Sequence, residues 1–190
     1  MTIINSLKES IATKQLFVED EKNIDLIKAA AQHCITAFKN NGKVLLCGNG
    51  GSAADAQHIS AELSGRFNFD RDPLYAEALH VNSSFITAVG NDYSYDDIYS
   101  RMIKAAGKQG DVLIGISTSG NSVNVVNALK QAKEQGMITV GFTGSSVCSI
   151  DEVADIVIKA PSKNTARIQE LHILIGHVIC EEIENTLFAR

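Results

Sequence analysis

Residues 1–40 alternate apolar and polar positions with the period of an α-helix. Apolar residues recur about every 3.5 positions along two stripes, which is the spacing of one face of a helix. The stripes are formed by Ile4, Leu7, Ile11 and Val18, and by Ile24, Ile27, Ala31, Cys34 and Phe38. This pattern predicts two N-terminal helices. Asn41-Gly42 is predicted to end the second helix, with the glycine in its usual position after a helix.

Beyond residue 42, short apolar runs alternate with amphipathic stretches. Residues 43–47 have the length of a strand, and the last four are apolar, which is typical of a strand buried on both faces of a parallel sheet. Further strands are predicted at 74–79, 111–117, 137–143 and 155–159, helices at 52–64, 83–89, 95–107, 122–135 and 165–187, and a polar loop at 66–73. Because such alternation builds right-handed βαβ units, the sequence predicts an α/β fold with a helix-covered parallel sheet and one domain over residues 1–190.

The charge balance of the chain is mildly acidic. Its 190 residues include 17 Lys and Arg against 22 Asp and Glu, which gives a formal net charge of −5. Nonspecific binding to nucleic acid depends on clustered basic residues, so the composition argues against a nucleic-acid partner. A small phosphorylated ligand stays compatible with this charge, because it needs only one local pocket.

The cysteines and the apolar runs indicate where the chain operates. Cys34, Cys47, Cys148 and Cys180 form no CxxC pair, which is typical of free thiols in a reducing compartment. Residues 1–20 contain charged positions that interrupt any signal-peptide core, and no 18 apolar residues run consecutively. We therefore expect a cytoplasmic protein with no membrane partner.

Two loops follow predicted strands at the edge of the sheet where ligands of parallel α/β folds bind. The glycine loop (residues 48–52) allows close approach of the backbone to a ligand, and the serine loop (residues 117–122) offers hydroxyls beside the start of a helix. Tight turns with helix caps would show the same residues. Gly48-x-Gly50-x-x-Ala53 matches a relaxed dinucleotide pattern, but no acidic residue follows at the expected position, and neither loop is a P-loop. An uncharged hydroxyl site favours a terminal sugar phosphate and no nucleotide cofactor.

Two helices carry residues able to perform chemistry. His58 and Glu62 are spaced i, i+4 on one helical face, which is compatible with general acid–base catalysis, with half of a metal site, or with an incidental pair on a solvated face. Gln169 and His177 lie about 12 Å apart along the axis of the terminal helix, so a site using both needs long reach or a second subunit. For His172 on the same apolar helix we favour a structural or interface role.

Four segments carry a joint pattern that extends over essentially the whole chain. They are Gly48-Asn49-Gly50-Gly51-Ser52-Ala53 with Asp55, Ala56, His58, Glu62, Leu63, Gly65 and Arg66; Gly90-Asn91-Asp92; residues 110–122; and Arg167-Ile168-Gln169-Glu170 with His172. This pattern resembles the signatures of bacterial phosphoheptose isomerases, which belong to the sugar isomerase (SIS) domain superfamily. The resemblance implies a three-layer αβα sandwich with a five-stranded parallel sheet, assembled as a homotetramer in which residues 1–40 contribute to the interface.

The resemblance also implies an activity and a set of site residues. The reaction is the interconversion of D-sedoheptulose 7-phosphate and D-glycero-D-manno-heptose 7-phosphate, the first step toward activated heptose for lipopolysaccharide core or capsule. Glu62 is the expected base and His177 the expected acid. One zinc per subunit would be held by His58, Glu62, Gln169 and His177. The implied substrate contacts are Asn49, Gly50, Gly51, Ser52, Glu62, Asn91, Asp92, Ser117, Thr118, Ser119, Ser122 and Gln169.

Two alternatives stay open at this point. The tetrameric, non-enzymatic SIS proteins that associate with the DnaA replication initiator resemble the chain in Gly50-Gly51-Ser52-Ala53-Ala54, in residues 166–170 and in residues 184–188. His177, together with Ser119 in the serine loop, favours the enzyme, because a protein that only binds a partner has no need of an imidazole there. An isomerase acting on another phosphosugar is the nearer alternative.

Overall fold

The computed structural model describes residues 2–188, which form alternating helices and strands. The helices are α1 (Ile3–Glu19), α2 (Glu21–Lys39), α3 (Gly51–Ser64), α4 (Ser83–Asp92), α5 (Ile98–Ala106), α6 (Val123–Glu134), α7 (Ile150–Val153) and α8 (Thr165–Phe188). The strands are β1 (Val44–Gly48), β2 (Ala76–Ala78), β3 (Val112–Ile116), β4 (Ile138–Thr143) and β5 (Ile156–Lys159). None of these helices combines the length and the apolar content needed to cross a membrane.

The five strands form one parallel sheet in the order β2-β1-β3-β4-β5. The chain moves outward from β1 to one side for β2 and then to the other side for β3, so the strand order reverses between β1 and β3. Gly48 at the end of β1 pairs with Ile116 at the end of β3. Ligands of open α/β sheets bind at such a reversal, in the crevice outside the carboxyl ends of the strands. The glycine loop and the serine loop both begin there.

Successive side chains of each strand point to opposite faces of the sheet, and both faces are buried. Val44 and Leu46 lie in a core under α2, α3 and α8, whereas Leu45 and Cys47 lie in a second core under α5 and α6. This arrangement explains the continuous apolar runs, because a strand covered on both faces has no solvent-facing positions. The predicted α/β fold, its five-stranded parallel sheet and its three αβα layers are confirmed.

Four local features depart from the pattern predicted from sequence. The four-residue helix α7 was not predicted, since one helical turn is too short to show periodicity, and β2 is shorter than the predicted 74–79. A single 3₁₀ turn, Tyr95–Asp97, precedes α5 within the predicted helix 95–107. After α2 it is Asn41, with φ 58°, and not Gly42 that takes the left-handed conformation. Asparagine tolerates that conformation better than most residues.

Helix α1 buries a different face from the one its apolar stripe marks. It packs on α2 and α8 through Thr13 and Phe17, which are buried. The stripe residues stay exposed, as do two further apolar residues of the helix: Ile3, Ile4, Leu7, Ile11, Leu16 and Val18. Periodicity identified the helix correctly but could not identify which surface covers it.

All four cysteines are buried and free. Burial raises the pKa of the Cys34 and Cys180 thiols to about 12. Thiols with such pKa values are protonated and unreactive at neutral pH. They act as small apolar groups of the core.

Candidate functional site

The glycine loop and the serine loop enclose a small polar cleft at the reversal of strand order. The cleft has a volume of about 140 Å³ and is lined by Asn49, Ser52, Ile116, Ser117, Thr118, Ser122 and Gln169. Six of these seven residues belong to the substrate contacts expected from sequence. They come from three separate segments, the glycine loop, the end of β3 with the serine loop, and the start of α8.

Hydroxyl groups of the serine loop point toward one another. Ser117 Oγ lies 2.9 Å from Ser122 Oγ and 3.4 Å from Ser119 Oγ, and the amide of Asn121 donates to Ser119 Oγ. Gly120, with φ 67°, makes the turn, and a Cβ there would lie 2.2 Å from Cys148 Sγ. Hydroxyls that can rotate and an exposed helix start suit an anion that needs several hydrogen bonds and no cation.

The side chain of Asn49 is held in place by three polar groups. It exchanges two hydrogen bonds of 2.9 Å with the amide of Asn124 on α6, and Tyr95 Oη donates to its oxygen at 3.1 Å. Tyr99 Oη donates to the carbonyl of Gly48. An asparagine amide has two N–H groups, so one remains free to donate to a ligand. Asn124, Tyr95 and Tyr99 were not identified from sequence, because contacts between separate elements leave no local signal.

Gln169 lies against the glycine loop from the first turns of α8. A Cβ added to Gly51 would lie 2.4 Å from Gln169 Nε2, so only glycine leaves room for this amide. Gly50 takes a positive φ of 57° at the start of α3, a conformation that glycine adopts readily and other residues rarely do. The two glycines therefore have distinct roles: one makes the turn and the other admits the amide.

A second group of residues, the His–Glu–His cluster (His58, Glu62 and His177), lies between α3 and α8. His58 Nε2 is 3.0 Å from Glu62 Oε1 and 3.3 Å from His177 Nε2, and the three ligand atoms lie within 4.8 Å of one another. The two imidazole rings meet edge to face with centroids 4.9 Å apart. His58 Nε2 carries at most one proton, which it can share with only one of these two neighbours at a time. The three ligand atoms lie close enough together to hold one cation.

The separations between the ligand atoms of the cluster can be compared with those of a zinc site. Ligand atoms of a tetrahedral zinc site lie about 3.3 Å apart, given bonds of about 2.0–2.1 Å. The separations of 3.0 and 3.3 Å around His58 Nε2 agree with that spacing. Nitrogen and carboxylate donors are the ligands that zinc prefers.

Other expected residues lie outside the cleft lining. Among the described residues Asn91 and Asp92 are exposed at the end of α4, and Asn91 donates to the carboxylate of Asp92 at 3.0 Å. Ser119 lines an adjoining pocket of about 310 Å³ rather than the cleft itself. His172 is fully buried and donates from Nε2 to the carbonyl of Thr143, which agrees with a structural role.

Beneath the cluster lie three residues that sequence reasoning missed, Phe67, Arg71 and Glu184. The carboxylate of Glu184 accepts from Arg71 Nε and from the amides of Phe67 and Asn68. Arg71 and Phe67 belong to the predicted polar loop, where a burial signal is absent. Glu184 lies seven residues after His177 and therefore on the same face of α8. The sequence does not distinguish it from the neighbouring Glu181 and Glu182.

Comparisons with known proteins agree with this geometry. The SIS domain family profile matches residues 8–144. Phosphoheptose isomerase 2 of Campylobacter jejuni is 50% identical over 182 residues, covering 96% of this chain and 90% of that protein. Phosphoheptose isomerase of Clostridium acetobutylicum is also 50% identical over 182 residues, covering 96% of this chain and 93% of the relative.

A solved structure gives the same result in three dimensions. The phosphoheptose isomerase of Neisseria gonorrhoeae superposes with a TM-score of 0.90 at 41% identity, covering 96% of this chain and 97% of that chain. Identity at this level over nearly the full length exceeds what a shared fold alone would require. The chain therefore belongs to the phosphoheptose isomerase family of SIS domain proteins.

Proposed function

We propose that this chain interconverts D-sedoheptulose 7-phosphate and D-glycero-D-manno-heptose 7-phosphate. The observation that carries the proposal is the joint presence of an uncharged hydroxyl cleft and a nearby carboxylate–imidazole cluster in a member of this family. Isomerisation needs both, because the phosphate must be held while a proton moves between neighbouring carbons. The resemblance extends over the whole chain, which supports this substrate over other phosphosugars.

The serine loop would bind the 7-phosphate. Ser117, Ser119 and Ser122 offer hydroxyls that can donate to phosphate oxygens, and each hydrogen bond to a charged group contributes about 1.5–3 kcal/mol. Ser52 and the free N–H of Asn49 would orient hydroxyls of the sugar. Fixing both ends of the substrate lowers the entropic barrier to reaction.

Glu62 and His177 would move the protons. Starting from the ketose, Glu62 removes a proton from C1 while His177 donates one to the carbonyl oxygen on C2, which gives an enediol. Return of the proton to C2 and loss of the proton from the C1 hydroxyl give the aldose. A positioned acid or base contributes about 10²–10⁴-fold to such a rate.

We also propose that the His–Glu–His cluster holds one zinc ion per subunit, with Gln169 as the fourth ligand. Zinc would polarise the substrate carbonyl when bound. A ligated Glu62 is a weaker base, so the two roles of this residue compete. Metal analysis of protein purified without chelators tests the site, since a zinc content far below one per chain would contradict it.

The assembly proposed for the chain is a homotetramer. The exposed stripe of α1 supports it, because isolated chains rarely leave several large apolar side chains of one helix in water. The variant Leu7→Glu should reduce the mass measured by light scattering, whereas Asn5→Glu, which lies about 160° around α1 from Leu7 and is also exposed, should not. An unchanged mass in both would contradict a role of α1 in assembly.

Free, buried cysteines support a cytoplasmic location.

An assay on purified protein with sedoheptulose 7-phosphate tests the proposed function. We expect conversion to the aldose, and loss of conversion on changing Glu62→Gln but not on changing the exposed Glu182→Gln. Conversion of a different phosphosugar at higher kcat/KM would reassign the substrate. Failure to convert any phosphosugar, together with binding to the DnaA replication initiator, would favour the non-enzymatic alternative.

A further inference from the structure

The guanidinium of Arg71 lies under the C-terminal end of α3. Its Nη2 donates to the carbonyl of Glu62 at 2.9 Å, and its Nη1 donates to the carbonyls of Leu63 at 2.8 Å and Gly65 at 3.2 Å. The last carbonyls of a helix have no partner within the helix. Arg71 therefore caps the turn of α3 that carries Glu62, and one of its hydrogen bonds is made to the main chain of Glu62 itself.

Glu184 anchors this cap to α8, the helix that carries His177. Arg71 Nε donates to Glu184 Oε1 at 3.0 Å, and the side chains of the pair are 2% and 1% exposed. The same carboxylate accepts the amides of Phe67 at 3.0 Å and Asn68 at 2.7 Å. Burial alone would raise the pKa of Glu184, but these two amides and Arg71 outweigh it and lower the pKa, so the carboxylate stays ionised.

The segment that these bonds fix also contacts the cluster directly. The ring of Phe67 packs on the ring of His177 with centroids 5.7 Å apart. The amide of Phe67 is one of those bound by Glu184. The Arg71–Glu184 pair thus acts on both partners of the proposed reaction, on Glu62 through its main chain and on His177 through Phe67.

We propose that Arg71 and Glu184 are positioning residues that set the distance between Glu62 and His177. This inference rests on the proposed function for its catalytic consequence. Neither side chain reaches the reacting atoms, so both act through other residues. A guanidinium suits the task because its planar set of donors can bind a carboxylate and several carbonyls at once, whereas a lysine ammonium offers one point of charge.

The test compares the Arg71→Lys and Glu184→Gln variants with Asp111→Asn, which breaks the buried Lys43–Asp111 pair away from the cluster. Arg71→Lys retains the positive charge but loses the simultaneous bonds to the end of α3. Assayed at a temperature where all variants are folded, we expect kcat to fall about 10²-fold in the first two, as for an active-site displacement near 1 Å. We expect KM to stay within about twofold in all three, since the serine loop is untouched.

A crystal structure of Arg71→Lys gives a readout that does not need activity. We expect the distances from His58 Nε2 to Glu62 Oε1 and to His177 Nε2 to depart from 3.0 and 3.3 Å. Unchanged distances, or a kcat equal to that of Asp111→Asn, would overturn the positioning role. An inactive wild-type protein would instead refute the proposed function. The distances within the His–Glu–His cluster of the Arg71→Lys variant would still show whether Arg71 positions these residues.

Discussion

The Lys43–Asp111 and Arg71–Glu184 ion pairs are buried to a similar degree but join different parts of the molecule. Their side chains are 10% and 3% exposed in the first pair and 2% and 1% in the second. Lys43 and Asp111 immediately precede β1 and β3, so the first pair joins the starts of two neighbouring strands. Arg71 and Glu184 join the end of α3 to α8.

The two carboxylates are satisfied in the same way. Asp111 accepts from the amides of Lys43 and Lys108 as well as from Lys43 Nζ, and Glu184 accepts from two amides as well as from Arg71. Burying an ion pair costs desolvation energy that only such additional hydrogen bonds offset. Similar chemistry therefore has different consequences: one pair aligns strands that are also aligned by ladder hydrogen bonds, and the other aligns helices that carry the proposed base and acid.

The largest expected effect tests whether Glu62 of α3 and His177 of α8 carry the chemistry at all. Changing Glu62→Gln removes the proposed base while keeping the shape of the side chain, and we expect kcat to fall by about 10²–10⁴-fold. Steady-state kinetics on sedoheptulose 7-phosphate measure the loss, and circular dichroism checks that the fold persists. Activity within a few-fold of wild type would mean that the second ion pair has no base to position.

The next largest effect is on the free energy of unfolding, and we expect it to be similar for the two ion pairs. Changing either Asp111→Ala or Glu184→Ala leaves a buried cation without its partner, which costs about 3–5 kcal/mol of unfolding free energy. Chemical denaturation of both variants measures it. A loss below about 1 kcal/mol for one of them would show that the two pairs are not energetically equivalent.

His172 is a buried titratable group with no opposite charge beside it, so it contrasts with the two buried ion pairs. Burial lowers the pKa of His172 to about 4, although its hydrogen bond to Thr143 raises it slightly. Between pH 6.5 and 4 His172 binds a proton in the unfolded chain but not in the folded chain, so this residue should contribute a fall of about 3 kcal/mol in the unfolding free energy as the pH is lowered through that window. Asp55 acts in the opposite direction, because burial raises its pKa to about 6.

Denaturation at several pH values checks this dependence. His172→Gln should remove the contribution of this residue, so that the unfolding free energy falls less than in the wild type between pH 6.5 and 4, whereas the same change at the exposed His33 should leave the slope of the unfolding free energy against pH unchanged. If both variants retain the slope, a group other than His172 is responsible for it.

The smallest expected effect lies at the serine loop, the proposed phosphate site, which neither ion pair touches. Ser119→Ala removes one donor to the phosphate, and we expect KM to rise about tenfold with little change in kcat. Ser146→Ala, in the adjoining pocket, is the matched control and should leave both constants unchanged. A fall in kcat with unchanged KM would place the phosphate elsewhere.

Most of the architecture could be predicted because its signals are local. The apolar run at 44–47 required a strand covered on both faces, and Gly50 and Gly51 required a turn or a close approach at the start of α3. The spacing of His58 and Glu62 placed both on one helical face, which the 3.0 Å contact bears out. These features depend on neighbours within a few residues, and such neighbours are visible in the sequence.

The parts that could not be predicted depend on neighbours far apart in the chain. Arg71 and Glu184 are 113 residues apart, and Asn49 and Asn124 are 75 apart. The periodicity of α1 showed a helix but could not show that Thr13 and Phe17, rather than the apolar stripe, face the rest of the chain.

The sequence by itself determined the order of helices and strands, the two ligand loops and the residue types of the site. Hydrophobic periodicity and backbone preferences act over one or two helical turns, so a single amino-acid sequence is enough to recognise them. The resemblance implied that His177 meets His58 and Glu62, and the tertiary structure shows the three ligand atoms close together. Only the tertiary structure revealed that an ion pair beneath them connects their helices. The physical reason is that a buried charge is stable only where a distant segment supplies its partners, and folding alone brings those segments together.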